Sequence, residues 1–281
     1  MLTPFVADAL FAITAAIYLI ASSVFLVHLL GKTGLSDRAV QFAARAIGIG
    51  AVFHAGHIVV ASLVLHVCPV EGMHFAMSVV SMLACIAYAF ARLRYKVDLI
   101  GAFVGPFALT FLVGSRAVAE RSEFSPRFTG AILPIHIATL MLGYALFTLA
   151  FGAAVLYLVQ ERRLKNKQLG SVGQRLPPLD ALDKAELRFL LFGFPFLTIG
   201  ILAGTVFARS AEVGSDVSRL PALFRAILGY LTWLIFALVL LLRVVAGWRG
   251  RRAAYGIIAG FVVAMTVMAI YLLRTPPVIS P

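Results

Sequence analysis

The six histidines are the residues of this chain with the widest chemical reach, and their positions carry most of the functional information. His54 and His57 are three residues apart, so on a helix they share one face. His66 and His74 flank a short stretch that holds Cys68 and Glu71. His136 follows Pro134 at the start of an apolar run, and His28 closes another. A histidine placed deep in an apolar segment is costly unless it meets a partner, a cavity or a cofactor. Neutral imidazole is a common iron ligand, and two imidazoles from different helices can clamp a haem iron in a dry slot. The plainer reading of each is a hydrogen bond between helices, or a contact with lipid head groups.

Other polar residues add less. Asp8 and Glu71 could titrate, but they line up in no evident proton relay. Arg116, Arg121, Arg127, Arg209, Arg219 and Arg225 give one set of loops a basic character. A guanidinium forks well onto a carboxylate, including a haem propionate. As loop residues these arginines are equally served by water. The chain contains no P-loop, Gly-x-Ser-x-Gly or His-Glu-x-x-His pattern, so nucleotide hydrolysis and metalloprotease chemistry find no support. Cys68 and Cys85 are too few for a four-cysteine metal site within one chain.

The elements that position these residues follow from composition. Of 281 residues 62% are hydrophobic and only 13% charged. A soluble domain carries about a quarter charged residues, and the deficit is what a bilayer demands. A helix needs roughly 20 apolar residues to cross the hydrocarbon core. The apolar runs predict an all-α bundle of about eight transmembrane helices, near residues 5–30, 42–67, 73–91, 99–115, 133–159, 189–208, 222–242 and 253–273. Together they make residues 1–281 a single polytopic membrane domain. No basic segment precedes the first run, which reads as a permanent helix rather than a signal peptide.

The net charge of +12 could indicate nucleic acid, but the charges sit in short loops, where they set topology and meet anionic lipid. Of the 24 Lys and Arg, 17 fall on the loops after the odd-numbered spans. The positive-inside rule then places those loops in the cytoplasm and both termini outside. One loop is long, 161–188. It is basic at first, and from Pro177 it reads as a short interfacial helix feeding the sixth span. Glycines four apart (Gly101 and Gly105, Gly200 and Gly204, Gly256 and Gly260) are read as helix-packing positions.

Three stretches, residues 133–167, 176–208 and 232–261, resemble the cytochrome c assembly protein family, which includes CcsA (ResC) and HemX-type proteins. The run Gly-Trp-Arg-Gly-Arg-Arg-Ala-Ala from Gly247 is the most specific part. Fainter likeness covers His54–Pro69 and Leu99–Leu109. The resemblance implies eight helices with outward termini and a role in moving haem toward the outer face for attachment to apocytochrome c. His136 matches the family's external histidine before a tryptophan-rich stretch, and His54 matches a histidine of an early helix.

The departures are specific. Between Ala208 and Trp233 the chain has no tryptophan. The family histidine at the inner end of span seven is replaced near Leu241, and no histidine follows span eight.

The expectation is a haem-handling membrane protein of cytochrome c biogenesis, acting with a partner of the assembly machinery in a bacterial cytoplasmic membrane. Synthase activity by this chain alone is not expected. His136 and His54 are the haem-ligand candidates, followed by His66 and His74 at the level of His136. Two alternatives stand beside it: a HemX-type accessory protein that regulates haem synthesis by protein interaction, and a transporter of another small molecule.

Overall fold

A computed structural model describes residues 2–30, 36–65, 73–95, 97–118, 132–167, 176–212 and 219–273. His66, Cys68, Glu71, Arg121 and Arg127 lie outside the described residues, as do the side chains of His74, Arg209, Arg219 and Arg225.

The helices are α1 (Leu2–Leu30), α2 (Asp37–Leu65), α3 (Met73–Tyr95), α4 (Gly101–Val118), α5 (Ile132–Lys165), α6 (Leu179–Glu212), α7 (Arg219–Val245) and α8 (Arg251–Leu273). Each contains a segment long and apolar enough to cross a membrane, giving eight among the described residues. A lipid interior offers backbone groups no partner, so each span must satisfy its own hydrogen bonds as a helix. Large apolar side chains such as Leu19, Phe42, Phe90 and Leu202 stand exposed on the outside of the bundle, where lipid would cover them.

Several helix ends are written locally. Asp37 lies in the first turn of α2, and Asp180 in that of α6, where a carboxylate favours the positive end of the helix dipole. The carbonyl of Pro178 accepts from the N–H groups of Ala181 and Leu182, opening α6 directly after the proline pair. Residues 179–188 therefore form the first turns of α6 itself, rather than a separate short helix before the span. Between α7 and α8, Gly247 and Gly250 hold positive φ values of 64° and 63°. Side chains with a Cβ resist that conformation, which explains both glycines of the Gly-Trp-Arg-Gly run.

Packing divides the bundle into two closed groups of four. α1 packs on α2 and α4, α2 on α3, and α3 on α4. α5 packs on α6 and α8, and α7 bridges α6 and α8. The groups meet where α5 packs on α3 and α4. Lipid is as apolar as leucine, so helices associate by close contact rather than by hydrophobic drive. α5 is built for this role, with Gly143, Ala145, Ala150, Gly152, Ala153 and Ala154 all buried. Gly101 and Gly105 sit against α1 side chains Phe25 and Ser22, while Gly256 and Gly260 sit against Val239 and Phe236 of α7.

The ends of α1, α3, α5 and α7 share one face, called here the basic face. A cavity of about 180 Å³ there draws its walls from His28, Asp37, Gln41, Asp98 and Leu176. Nearby, Arg243 at the end of α7 reaches Asp183 at 2.5 Å and Glu186 at 3.6 Å. Asp183 also accepts the Gly250 N–H at 2.8 Å. One carboxylate thus ties the start of α6 to the end of α7 and the start of α8.

Candidate functional site

His136 lies in the first turns of α5, two residues after Pro134, whose missing N–H costs nothing at a helix start. Its half-buried ring turns toward α6, and Nδ1 lies 2.6 Å from the carbonyl oxygen of Gly200. A carbonyl only accepts, so Nδ1 carries the proton and Nε2 keeps its lone pair. That bond is the sole hydrogen bond of the ring among the described residues. The arrangement matches a metal-binding histidine, whose second nitrogen is fixed by a carbonyl so that the tautomer and ring plane are set in advance.

Gly204 makes this possible. A Cβ on it would stand 2.5 Å from Cε1 and 2.6 Å from Nδ1 of His136. Gly200, one turn away, similarly admits Leu140 and Thr139. The Gly200/Gly204 pair, read from sequence as packing alone, thus also supplies the acceptor and the floor for His136. Nothing in the sequence links positions 136, 200 and 204. Only the α5–α6 contact does.

His54 is placed differently. It is fully buried within the first group of four helices, with Nε2 2.8 Å from Ser78 Oγ and Nδ1 3.3 Å from the Tyr18 hydroxyl. Whichever tautomer is present, both nitrogens are engaged, so neither is open to iron. The expectation of His54 as a haem ligand does not fit this geometry. A buried polar group left unpaired is costly, and hydroxyls from α1 and α3 remove that cost. His54 therefore links three helices.

His57, one helical turn on, shows the opposite pattern. Nδ1 donates to the Ala7 carbonyl at 3.0 Å, and Nε2 has no hydrogen-bond partner among the described residues. Its ring centroid lies 6.4 Å from that of His54 and 5.5 Å from that of Phe11. His28 is buried at the basic face, away from the other histidines. His66 and the side chain of His74, the other two ligand candidates, lie outside the described residues. Among the described residues no group of three or more His, Cys, Asp or Glu is arranged to hold a bare metal ion.

The arginines divide as well. Arg116 pairs with Asp8 at 2.6 Å, with both side chains about half exposed. Arg243, by contrast, is almost wholly buried in its carboxylate network.

An eight-span helical bundle, with a histidine held by a backbone carbonyl at one end, defines a polytopic membrane protein. Residues 67–275 match the family described as Cytochrome C assembly protein, and the chain belongs to that family. It is similar to "Cytochrome c biogenesis protein CcsA" of Guillardia theta, 33% identical over 194 residues, covering 61% of this chain and 63% of that relative. The protein of the same name from Heterosigma akashiwo (strain NIES-293 / 8280G21-1) is 29% identical over 225 residues, covering 66% of this chain and 68% of the relative. That from Rippkaea orientalis (strain PCC 8801 / RF-1) reaches 41% over 112 residues, covering 40% and 32%. The match to the Guillardia protein thus spans somewhat less than two thirds of that protein's length. The family assigns the chain to cytochrome c assembly.

Proposed function

We propose that this chain is a haem-handling component of cytochrome c assembly, in which His136 offers an axial imidazole through Nε2. The observation that carries this reading is the bond from His136 Nδ1 to the Gly200 carbonyl, 2.6 Å long. It fixes the neutral ring in one tautomer, with the proton on Nδ1, and in one plane. Haem, if bound, would be held by His136 and would supply an iron that takes a nitrogen ligand. The chain's own residues do the rest. Gly200 orients the imidazole, Gly204 leaves room for it, and the small residues of α5 hold the two helices together.

The chain acts with a partner in this reading, because residues 208–233 hold tryptophan only at Trp233 and a second axial ligand must be found. His66 and His74 remain candidates for that ligand within the chain. The bias of 17 of 24 basic residues toward one face supports a cytoplasmic basic face and an outward-facing His136 in a bacterial cytoplasmic membrane. The absence of the tryptophan-rich stretch also favours a second reading, a HemX-type accessory protein that regulates haem synthesis by interaction.

The visible spectrum of the detergent-purified chain, beside a His136→Ala variant, decides between them. A low-spin Soret and α-band pattern that weakens in the variant supports the haem-handling reading. A wild type that stays colourless with added haem removes it in favour of the regulator.

A further inference from the structure

We propose that Arg94 and Arg188 hold the phosphate of an anionic phospholipid at the basic face, in the seam between the two groups of four helices. This site is independent of any role of His136.

The seam follows from the packing. α3 belongs to the first group and α6 to the second, and α5 lies against both. At the end of α3 and the start of α6 there is a cavity of about 560 Å³, walled by Arg94, Arg188, Leu191 and Phe192. Pockets that hold small molecules span about 300–1,000 Å³. Arg188, Leu191 and Phe192 are spaced three and four apart and so share one face of α6. On α3, Phe90 precedes Arg94 by four residues and shares its face. The two helices run in opposite directions here, yet each carries an arginine toward the basic face and an exposed phenylalanine one turn deeper in its apolar span. That order of charge above and ring below is the polarity of a phospholipid in a leaflet.

The charges around the cavity point to an anion. Arg92 turns to Asp98 at 2.8 Å, which occupies the nearest acid after α3. Arg94 has no ion-pair partner among the described residues. At the start of α6, Asp180 answers Lys184, while Asp183 and Glu186 answer Arg243. The described walls of the cavity thus hold two positive charges and no carboxylate. A guanidinium cannot shed its proton, so two of them on one cavity repel until an anion sits between them. Phosphate suits the place, because its oxygens take forked bonds from arginine. Basic pockets between transmembrane helices bind anionic head groups in this way. A free phosphate would answer the arginines and leave Leu191 and Phe192 bare. A phospholipid answers the arginines with its head group and covers the apolar wall with its chains. Bound there, it bridges the two groups of helices.

Native mass spectrometry of the full-length chain, released from detergent micelles holding equal amounts of phosphatidylglycerol and phosphatidylcholine, counts the lipids retained. Wild type is expected to keep one phosphatidylglycerol in preference to phosphatidylcholine. Arg94→Gln and Arg188→Gln should each weaken that retention about fivefold, roughly the worth of one basic residue at an anionic surface. Arg38→Gln removes an exposed arginine at the start of α2, outside the cavity, and should change nothing. Added phosphatidylglycerol should also raise the Tm of wild type but not that of the double variant Arg94→Gln/Arg188→Gln. Because both arginines are exposed, the double variant should melt like wild type without lipid, which separates lost binding from lost folding. Retention unchanged in the double variant overturns the site. An equal loss in Arg38→Gln would show a diffuse attraction to the basic face and overturn it too. If inorganic phosphate alone raises Tm as far as the lipid does, the chains add nothing and the lipid assignment is wrong.

Discussion

His136 of α5 donates its Nδ1 proton to the Gly200 carbonyl of α6 across 2.6 Å, with Gly204 directly beneath the ring. A side chain with reactive potential is thus set by the backbone of the neighbouring helix, and a change in that backbone reaches the imidazole without touching it. Gly204→Ala should displace the ring, lower haem affinity about 10- to 100-fold as other losses of ligand support do, and cost about 1–3 kcal/mol from overpacking. Haem titration and a thermal melt in detergent check the two effects separately. Unchanged affinity would show that the ring position does not matter.

Arg243 should be indispensable to the fold. Its side chain is 2% exposed and answers Asp183 and the fully buried Glu186. Neither carboxylate oxygen of Glu186 has a hydrogen bond. Arg243→Leu strands both acids and should destabilise by about 3–5 kcal/mol. Replacing Arg243, Asp183 and Glu186 together with apolar residues should recover much of that loss. A melt that Arg243→Leu leaves unmoved would contradict the network.

The His54 array should prove structural. Tyr18→Phe removes one hydroxyl from the imidazole and should cost about 0.6 kcal/mol, the average for a polar contact between helices in a membrane. Its haem spectrum should match wild type. A Soret band that shifts in Tyr18→Phe would return His54 to the list of ligands.

Orientation is open to chemical labelling. With Cys68 replaced by serine, Cys85 remains buried and unreactive. A cysteine at exposed Lys167 on the basic face should then react with a membrane-impermeant maleimide only in inverted vesicles. Labelling in intact cells would reverse the assigned topology.

Much of this protein is legible in its sequence. Eight apolar runs identify the spans, because lipid leaves the backbone no alternative to helix. Charges in the loops predict which face is basic, and the glycine pairs mark where helices come close. The ends of α5 and α6 were less legible. Their charged residues continue the helix past the membrane, since Glu, Lys and Arg favour helix once water replaces lipid.

Only the tertiary structure decided which histidines are open. His54 and His57 are three residues apart on one helix, yet one meets two hydroxyls and the other a single carbonyl. The availability of an imidazole depends on what faces each nitrogen, and those groups come from helices distant in sequence: Tyr18 and Ser78, Ala7, and Gly200. Periodicity reports which face of a helix a residue occupies. It carries no information about the atom opposite, and that atom decides whether a histidine binds its neighbours or a ligand.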